Sequence, residues 1–334
     1  MIKITKFLFL STLLFVGLAS NAQADGSVFS KEEITKDSLI QIFSKLKNPE
    51  RFVENNDEGS DWNDAFKFLN DFVLYKLIYF SDGLKVAGYV YEPRKEGKYP
   101  CIIYNRGGNR EFGMLNPARM VFLFRDLLKE GYVITASNYR GIDGGEGIEE
   151  FGGREVNDIL NLIPVLEKNP KADASLIGMY GWSRGGMMSY LTLSRTNRIK
   201  ALVVGGAVSD LYEMIADRPD METHVIAELV PDYWNRKAEE LHNRSALKWV
   251  DKFPKNVPIL MMHGTADWRV KPEQSMSLAL EFQKHKVPYR LLMMEGGDHG
   301  LSEFRAETSR QTVDWFERFL KNNDALPNLE PHGR

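Results

Sequence analysis

Leu176-Ile177-Gly178-Met179-Tyr180 runs directly into Gly181-Trp182-Ser183-Arg184-Gly185, and this junction decides the fold. The first five residues form a short apolar run that suits a buried strand. The next five read G-x-S-x-G. Gly186, Met187, Met188, Tyr190, Leu191 and Leu193 then suit the start of a packed helix. A serine on such a sharp strand-to-helix turn points its Oγ out of the fold and sits beside a helix N-terminus. The flanking glycines are expected because strand and helix pass too closely there for a Cβ. A serine hydroxyl is a poor nucleophile until a base takes its proton, and that base must be oriented by a third group.

Both partners follow in the order serine, acid, histidine. Pro258 to Met262 is an apolar strand leading through His263-Gly264-Thr265-Ala266 to Asp267, 84 residues after Ser183. Tyr289 to Met294 is another strand, leading into Glu295-Gly296-Gly297-Asp298-His299-Gly300, with His299 a further 32 residues on. All three groups are therefore expected on loops at the carboxyl ends of parallel strands, where open α/β sheets bind ligands. Asp298 competes with Asp267, but its place next to His299 makes it hard to reach back to the same imidazole. His263 precedes the acid and is expected to have a structural role under the Asp267 loop. His224, His242, His285 and His332 lack strand-end contexts.

The chain resembles the catalytic domain of the prolyl oligopeptidase family of serine hydrolases over roughly residues 72–322. Tyr79 to Pro93 is similar to that family's opening hairpin. Tyr139-Arg140-Gly141 and Phe151-Gly152-Gly153-Arg154-Glu155-Val156-Asn157-Asp158 are similar to its loop and helix before the nucleophile. Asn243-Arg244-Ser245, His263 to Asp267, Arg269-Val270 and Glu273-Gln274-Ser275 resemble its C-terminal signature, and Gly297-Asp298-His299-Gly300 its histidine loop. The resemblance implies Ser183 as nucleophile, Asp267 as orienting acid and His299 as base. Acyl transfer also needs donors aimed at the developing oxyanion. These are expected from the backbone N–H groups of Arg184 and of Gly107, in the loop after the strand Cys101-Ile102-Ile103-Tyr104. Many relatives carry His-Gly-Gly-Pro in that loop; this chain has Arg106-Gly107-Gly108-Asn109. Arg106 either places positive charge near the substrate or is a salt-bridged loop residue. Trp182 is the other candidate substrate-contacting side chain.

The remaining sequence sets bounds. The chain has 334 residues and a net charge of −3. Lys3 and Lys6, the apolar stretch Phe7 to Leu18 and Ala22-Gln23-Ala24 read as a secretory signal over residues 1–24, implying a periplasmic or secreted protein without stable membrane insertion after cleavage. Cys101 is the single cysteine, so no internal disulfide forms. There is no Cys/His cluster with metal spacing, no phosphate-binding glycine loop and no basic run for nucleic acid. No cofactor is implied. With no internal repeat, a β-propeller is not expected. Residues 25–71 read as an N-terminal helical extension, with Ser30-Lys31-Glu32-Glu33 as a capping box. Alternating strands and helices then argue for a mostly parallel sheet covered on both faces, an α/β-hydrolase fold. Asn116, Pro117 and Gly131 should bound one helix, and Pro164 should break another. Residues 208–255 form a helical insertion after the sixth strand, Leu202 to Ala207, expected to cap the site. Residues 323–334 read as a tail. The expected activity is hydrolysis of peptide or amide bonds. Small acyl esters, or a catalytically silent binding role, are the alternatives.

Overall fold

The computed structural model describes residues 23–56 and 59–333. All but the last two residues of the expected signal segment lie outside them. Among the described residues no helix is long and apolar enough to cross a membrane.

The chain starts with β1 (Val28–Ile34), α1 (Lys36–Ser44) and the hairpin β2 (Val53–Asn56) and β3 (Gly59–Trp62). Then come β4 (Phe72–Ser81), β5 (Leu84–Pro93), β6 (Tyr99–Asn105), α2 (Pro117–Lys129) and β7 (Val133–Ser137). The split helix α3 (Val156–Leu160) and α4 (Leu162–Glu167) precedes β8 (Ala172–Trp182), α5 (Arg184–Leu193) and β9 (Ile199–Gly205). The insertion contains α6 (Leu211–Asp217) and α7 (Tyr233–Arg244); β10 (Ile259–Gly264), α8 (Glu273–His285), β11 (Tyr289–Met294) and α9 (Arg305–Phe316) complete the fold.

Nine strands form one sheet in the order β1-β4-β5-β7-β6-β8-β9-β10-β11. Pairing is parallel from β7 through β11, whereas β1, β4 and β5 join antiparallel. Apolar side chains pack on both faces. One core gathers Ile103, Met179, Met187 and Val204, and the other Ile102, Phe124, Val203 and Phe316. Parallel strands covered twice are buried on both sides, which is why β8 reads as an apolar run over residues 176–180 and β10 over residues 259–262.

Local chemistry sets the helix ends. Asn116 caps α2, accepting the Arg119 N–H at 3.0 Å, with Pro117 first in the helix and Gly131 at φ 76° beyond it. Pro164 lacks an N–H for the Leu160 carbonyl and its ring would crowd that carbonyl. The helix accordingly stops at Leu160 and restarts at Leu162.

The N-terminal region corrects the expectation of a helical extension. Ser30 lies inside a strand, not at a helix start, and β1 pairs antiparallel with β4 from Val28 opposite Tyr79 to Ile34 opposite Leu74. β4 otherwise presents a row of unpaired backbone groups, and an adjacent extended segment satisfies them at less cost than an isolated helical turn. The helix starts later, with Thr35 as cap accepting the Ser38 N–H. Its buried face is formed by Leu39, Ile40 and Phe43. Phe43 meets Trp62 edge-on at 5.3 Å and Phe122 of α2 at 5.4 Å. Residues 323–333 carry no regular secondary structure.

Candidate active site

Strand pairing puts the nucleophile turn at the carboxyl edge of the sheet. Asn105 pairs with Gly181 and Trp182 with Gly205, and the Ser183 N–H donates to the Gly205 carbonyl at 2.8 Å. Ser183 itself holds φ 59° and ψ −125°, a sparsely populated conformation for a residue with a Cβ. Gly185 is required by close approach: a Cβ there would lie 1.9 Å from the Asn105 carbonyl oxygen, and both partners are backbone.

Three side chains from three loops converge. His299 Nε2 lies 2.9 Å from Ser183 Oγ, and His299 Nδ1 lies 2.7 Å from Asp267 Oδ2. A carboxylate only accepts, so Nδ1 carries the proton and Nε2 is left to accept from the serine. Asp267 is buried, with Oδ1 taking the Arg269 and Val270 N–H groups at 2.8 and 3.0 Å. Burial alone would raise its pKa. Hydrogen bonds from His263, His299 and the Val270 amide outweigh burial and hold the carboxyl well below the usual carboxylate range. Asp298 is exposed and accepts instead from the Gly300 and Ser302 N–H groups at 2.9 and 3.0 Å, turning away from the imidazole beside it.

His263 is fully buried under this loop. Its Nε2 donates to the Val270 carbonyl at 2.9 Å, and Nδ1 lies 2.6 Å from Ser275 Oγ. The same Nε2 is 3.2 Å from Asp267 Oδ2, a contact that the order of residues in the chain gave no reason to expect.

Gly107 lies against the nucleophile. A Cβ on it would fall 2.9 Å from the Trp182 carbonyl oxygen and 3.2 Å from Ser183 Cβ, so only a bare backbone fits beside the serine. Arg184 is the first residue of α5, where an N–H has no acceptor inside the helix. The Gly107 backbone and the Arg184 amide thus both lie next to Ser183. Arg106 does not reach substrate space, which corrects the expectation that it contacts substrate and leaves the alternative of a buried loop residue. It is wholly buried, donates to the carbonyls of Asn138, Gly107, Phe112 and Arg110, and lies 3.7 Å from Glu149. Burial and the neighbouring Arg184 push its pKa down to about 10. Its role is to hold together the loop that carries Gly107. Trp182 lines the cavity and donates from Nε1 to the His299 carbonyl at 2.8 Å, tying the histidine loop to the turn.

The Arg184 side chain anchors a buried network absent from the sequence reading. It bonds Glu149 at 2.6 Å and Glu155 at 2.7 Å. Glu155 also accepts the N–H groups of Glu150, Gly152 and Gly153. Burial opposes its charge, but Arg184 and those amides hold its pKa below the usual value. The signal was visible in Phe151-Gly152-Gly153-Arg154-Glu155, where an acid follows two glycines whose amides need an acceptor.

A cavity of about 990 Å³ opens over Ser183 and His299. Val208, Met214, Arg218 and Met221 from the insertion and Val270 from the Asp267 loop form one end of it. Of the insertion's aromatics, Trp249 stacks on Phe253 at 5.5 Å, Tyr233 is buried and Trp234 is exposed. These pack the insertion itself, and none of the three lines the cavity.

The description of the prolyl oligopeptidase family matches residues 121–323. The uncharacterized peptidase YtmA of Bacillus subtilis (strain 168) is 29% identical over 250 residues, covering 75% of this chain and 93% of that protein. Dipeptidyl-peptidase 5 of Porphyromonas gingivalis is 27% identical over 243 residues, covering 68% of this chain but only 34% of that one. The Pyrococcus horikoshii acylaminoacyl peptidase superposes with a TM-score of 0.63 at 21% identity, over 81% of this chain and 47% of the other, a likeness of fold. The chain therefore spans most of one relative and between a third and a half of the larger ones. With the match running from α2 past the end of α9, through the nucleophile turn and both partner loops, the chain belongs to the prolyl oligopeptidase family and is a serine hydrolase.

Proposed function

We propose that the protein is an exported serine peptidase that cleaves peptide or amide bonds through an acyl-enzyme on Ser183. The observation that supports this reading most directly is the unbroken line from Ser183 Oγ through His299 to Asp267, at 2.9 and 2.7 Å. In acylation Ser183 Oγ bonds to the carbonyl carbon while its proton passes to His299 Nε2. The carbonyl oxygen gains negative charge in front of the Gly107 and Arg184 amides, which are in place before it forms. His299 then gives the proton to the departing amine as the C–N bond breaks. In the second half water takes the amine's place and bonds to the acyl carbon as it loses a proton to His299; the bond from that carbon to Ser183 Oγ then breaks, His299 returns the proton to Oγ, and the acid leaves. Asp267 stays ionised throughout and stabilises the imidazolium between the two transfers. Peptide substrates follow from the peptidase relatives. Export rests on the sequence of residues 1–24, and N-terminal sequencing of the protein recovered outside the cytoplasm would test it.

The deciding measurement is kcat/KM for an ester and an amide of the same acyl group, alongside labelling by a fluorophosphonate. A peptidase spends binding energy on the leaving amine, so the amide rate should come within about tenfold of the ester rate, a gap of about 1.4 kcal/mol. Rapid ester cleavage with no amide turnover would make the protein a carboxylesterase. Absence of both turnover and labelling would leave a binding protein on a hydrolase fold.

A further inference from the structure

The insertion and the Asp267 loop each bring to the cavity an arginine, Arg218 and Arg269, that forms no salt bridge among the described residues. Met214 in α6, Arg218 in the non-helical break that ends α6 (φ −138°, ψ 75°) and Met221 just beyond that break all line the cavity. The Arg218 guanidinium thus shares the cavity wall with two thioethers. On the Asp267 loop, Val270 adds an apolar surface to the same cavity and Arg269 a second guanidinium. The two arginines lie against the Trp268 ring, at 5.4 and 5.5 Å from its centroid.

Their partners set them apart. Within the insertion Arg236, Lys237, Arg244 and Lys248 each hold a carboxylate. Lys252 and Lys255 do not, but they are exposed and outside the cavity. Among the described residues neither Arg218 nor Arg269 forms a salt bridge, and the one hydrogen bond of the Arg218 side chain goes to the Arg269 carbonyl at 3.1 Å. Partial burial and the charge of Arg269 push the Arg218 pKa down, against the weaker opposing pull of Asp267 and Asp220. Arg218 is half-buried and Arg269 exposed, and two like charges brought to one cavity wall repel until an anion joins them. A guanidinium is built for a carboxylate, which it takes with two parallel hydrogen bonds.

We propose that Arg218 and Arg269 form a subsite for a side-chain carboxylate, so that the enzyme selects peptides with glutamate or aspartate adjoining the scissile bond. The apolar surfaces of Met214, Met221 and Val270 take the methylene stem, and the guanidinium pair takes the acid. This rests on the peptidase reading above and adds to it the class of residue accepted.

The test uses end-blocked alanine hexapeptides carrying one Glu or one Gln, with cut sites and rates read by mass spectrometry. Glutamine keeps the shape and removes the charge. Cleavage is expected at the bond adjoining Glu, at least about tenfold faster than at the matching Gln. Arg218→Gln should bring that ratio to near one while the Gln peptide is still cut, and Arg218→Glu should turn the preference towards a Lys peptide. Because Arg218 also supports the Asp267 loop, a structural role alone would slow both peptides together and leave the ratio unchanged, which would overturn the proposal. So would equal wild-type rates on the two peptides, with the peptidase reading intact. If neither peptide is cut, the peptidase reading fails, and calorimetry of acetyl-Glu-amide and acetyl-Gln-amide against Ser183→Ala decides the subsite: tighter binding of the Glu compound upholds it, and equal binding overturns it.

Discussion

At the scale of single residues, the two neighbouring carboxylates test the reading of the site most sharply. Asp267 faces the imidazole, whereas Asp298 faces the amides of Gly300 and Ser302. Asp267→Asn should lower kcat by roughly 10⁴-fold, since an amide no longer enforces the tautomer that leaves Nε2 free to accept. Asp298→Asn should cost less than about tenfold, and steady-state kinetics of both variants would expose a wrong assignment by the reverse ranking. The depressed Asp267 pKa also has a sign in stability. In the unfolded chain this carboxyl titrates near ~3.9. A group whose folded pKa lies lower contributes stability that is present above that value and fades as pH falls through the folded pKa. The thermal midpoint of the wild type should therefore exceed that of Asp267→Asn by a constant margin from neutrality to about pH 4 and by less below it. A margin already shrinking at pH 6 would contradict the assigned hydrogen bonds. Residue types and chain order were enough to single out Ser183, Asp267 and His299, which the fold brings within hydrogen-bond distance of one another. Arg106 was not decidable, because its meaning depends on four carbonyls brought around it by folding.

At the scale of elements, the turn between β8 and α5 concentrates the constraints. Gly185→Ala pushes a methyl group onto the Asn105 carbonyl, where neither side is a flexible side chain. Overpacking of this kind should cost about 3 kcal/mol, together with most of the activity, as β6 and α5 move apart and Gly107 leaves Ser183. Chemical denaturation and a kinetic assay on the same variant would check this. An unchanged midpoint would show the turn to be looser than described. Elements bounded by strong local chemistry were legible: Asn116-Pro117 and Gly131 bracket α2, and Pro164 explains the break before α4. β1 was not. Val28–Ile34 carries Lys31, Glu32 and Glu33 in succession, a polar run that suits a helix start as well as an edge strand. Only the open edge of β4 chooses between them, and that edge exists only after long-range folding.

For the whole molecule, β1 within the main sheet makes the N-terminal region part of one folding unit. Phe43→Ala removes a fully buried ring between α1, β3 and α2 and should cost about 3–5 kcal/mol. Calorimetry should show a single transition moved to lower temperature. Two resolved transitions would mean that residues 25–71 melt separately. The layered architecture was legible because alternating apolar runs and helices leave few alternatives. The chemistry of the cavity roof was not, because Met214, Arg218 and Met221 have meaning only once the insertion folds over Ser183.

The position of that insertion has a consequence for how this molecule can change over evolutionary time. Residues 208–255 leave the sheet after β9 and return before β10, two strands locked side by side from Leu202 opposite Ile259 to Gly205 opposite Met262. The sheet, not the roof, fixes the separation between the Ser183 turn and the Asp267 loop. Mutations that drift through the roof, lengthen it or replace it outright would reshape the substrate chamber while the hydrolytic centre is inherited unchanged. Descendants of one such scaffold can therefore diverge in diet without reinventing their chemistry.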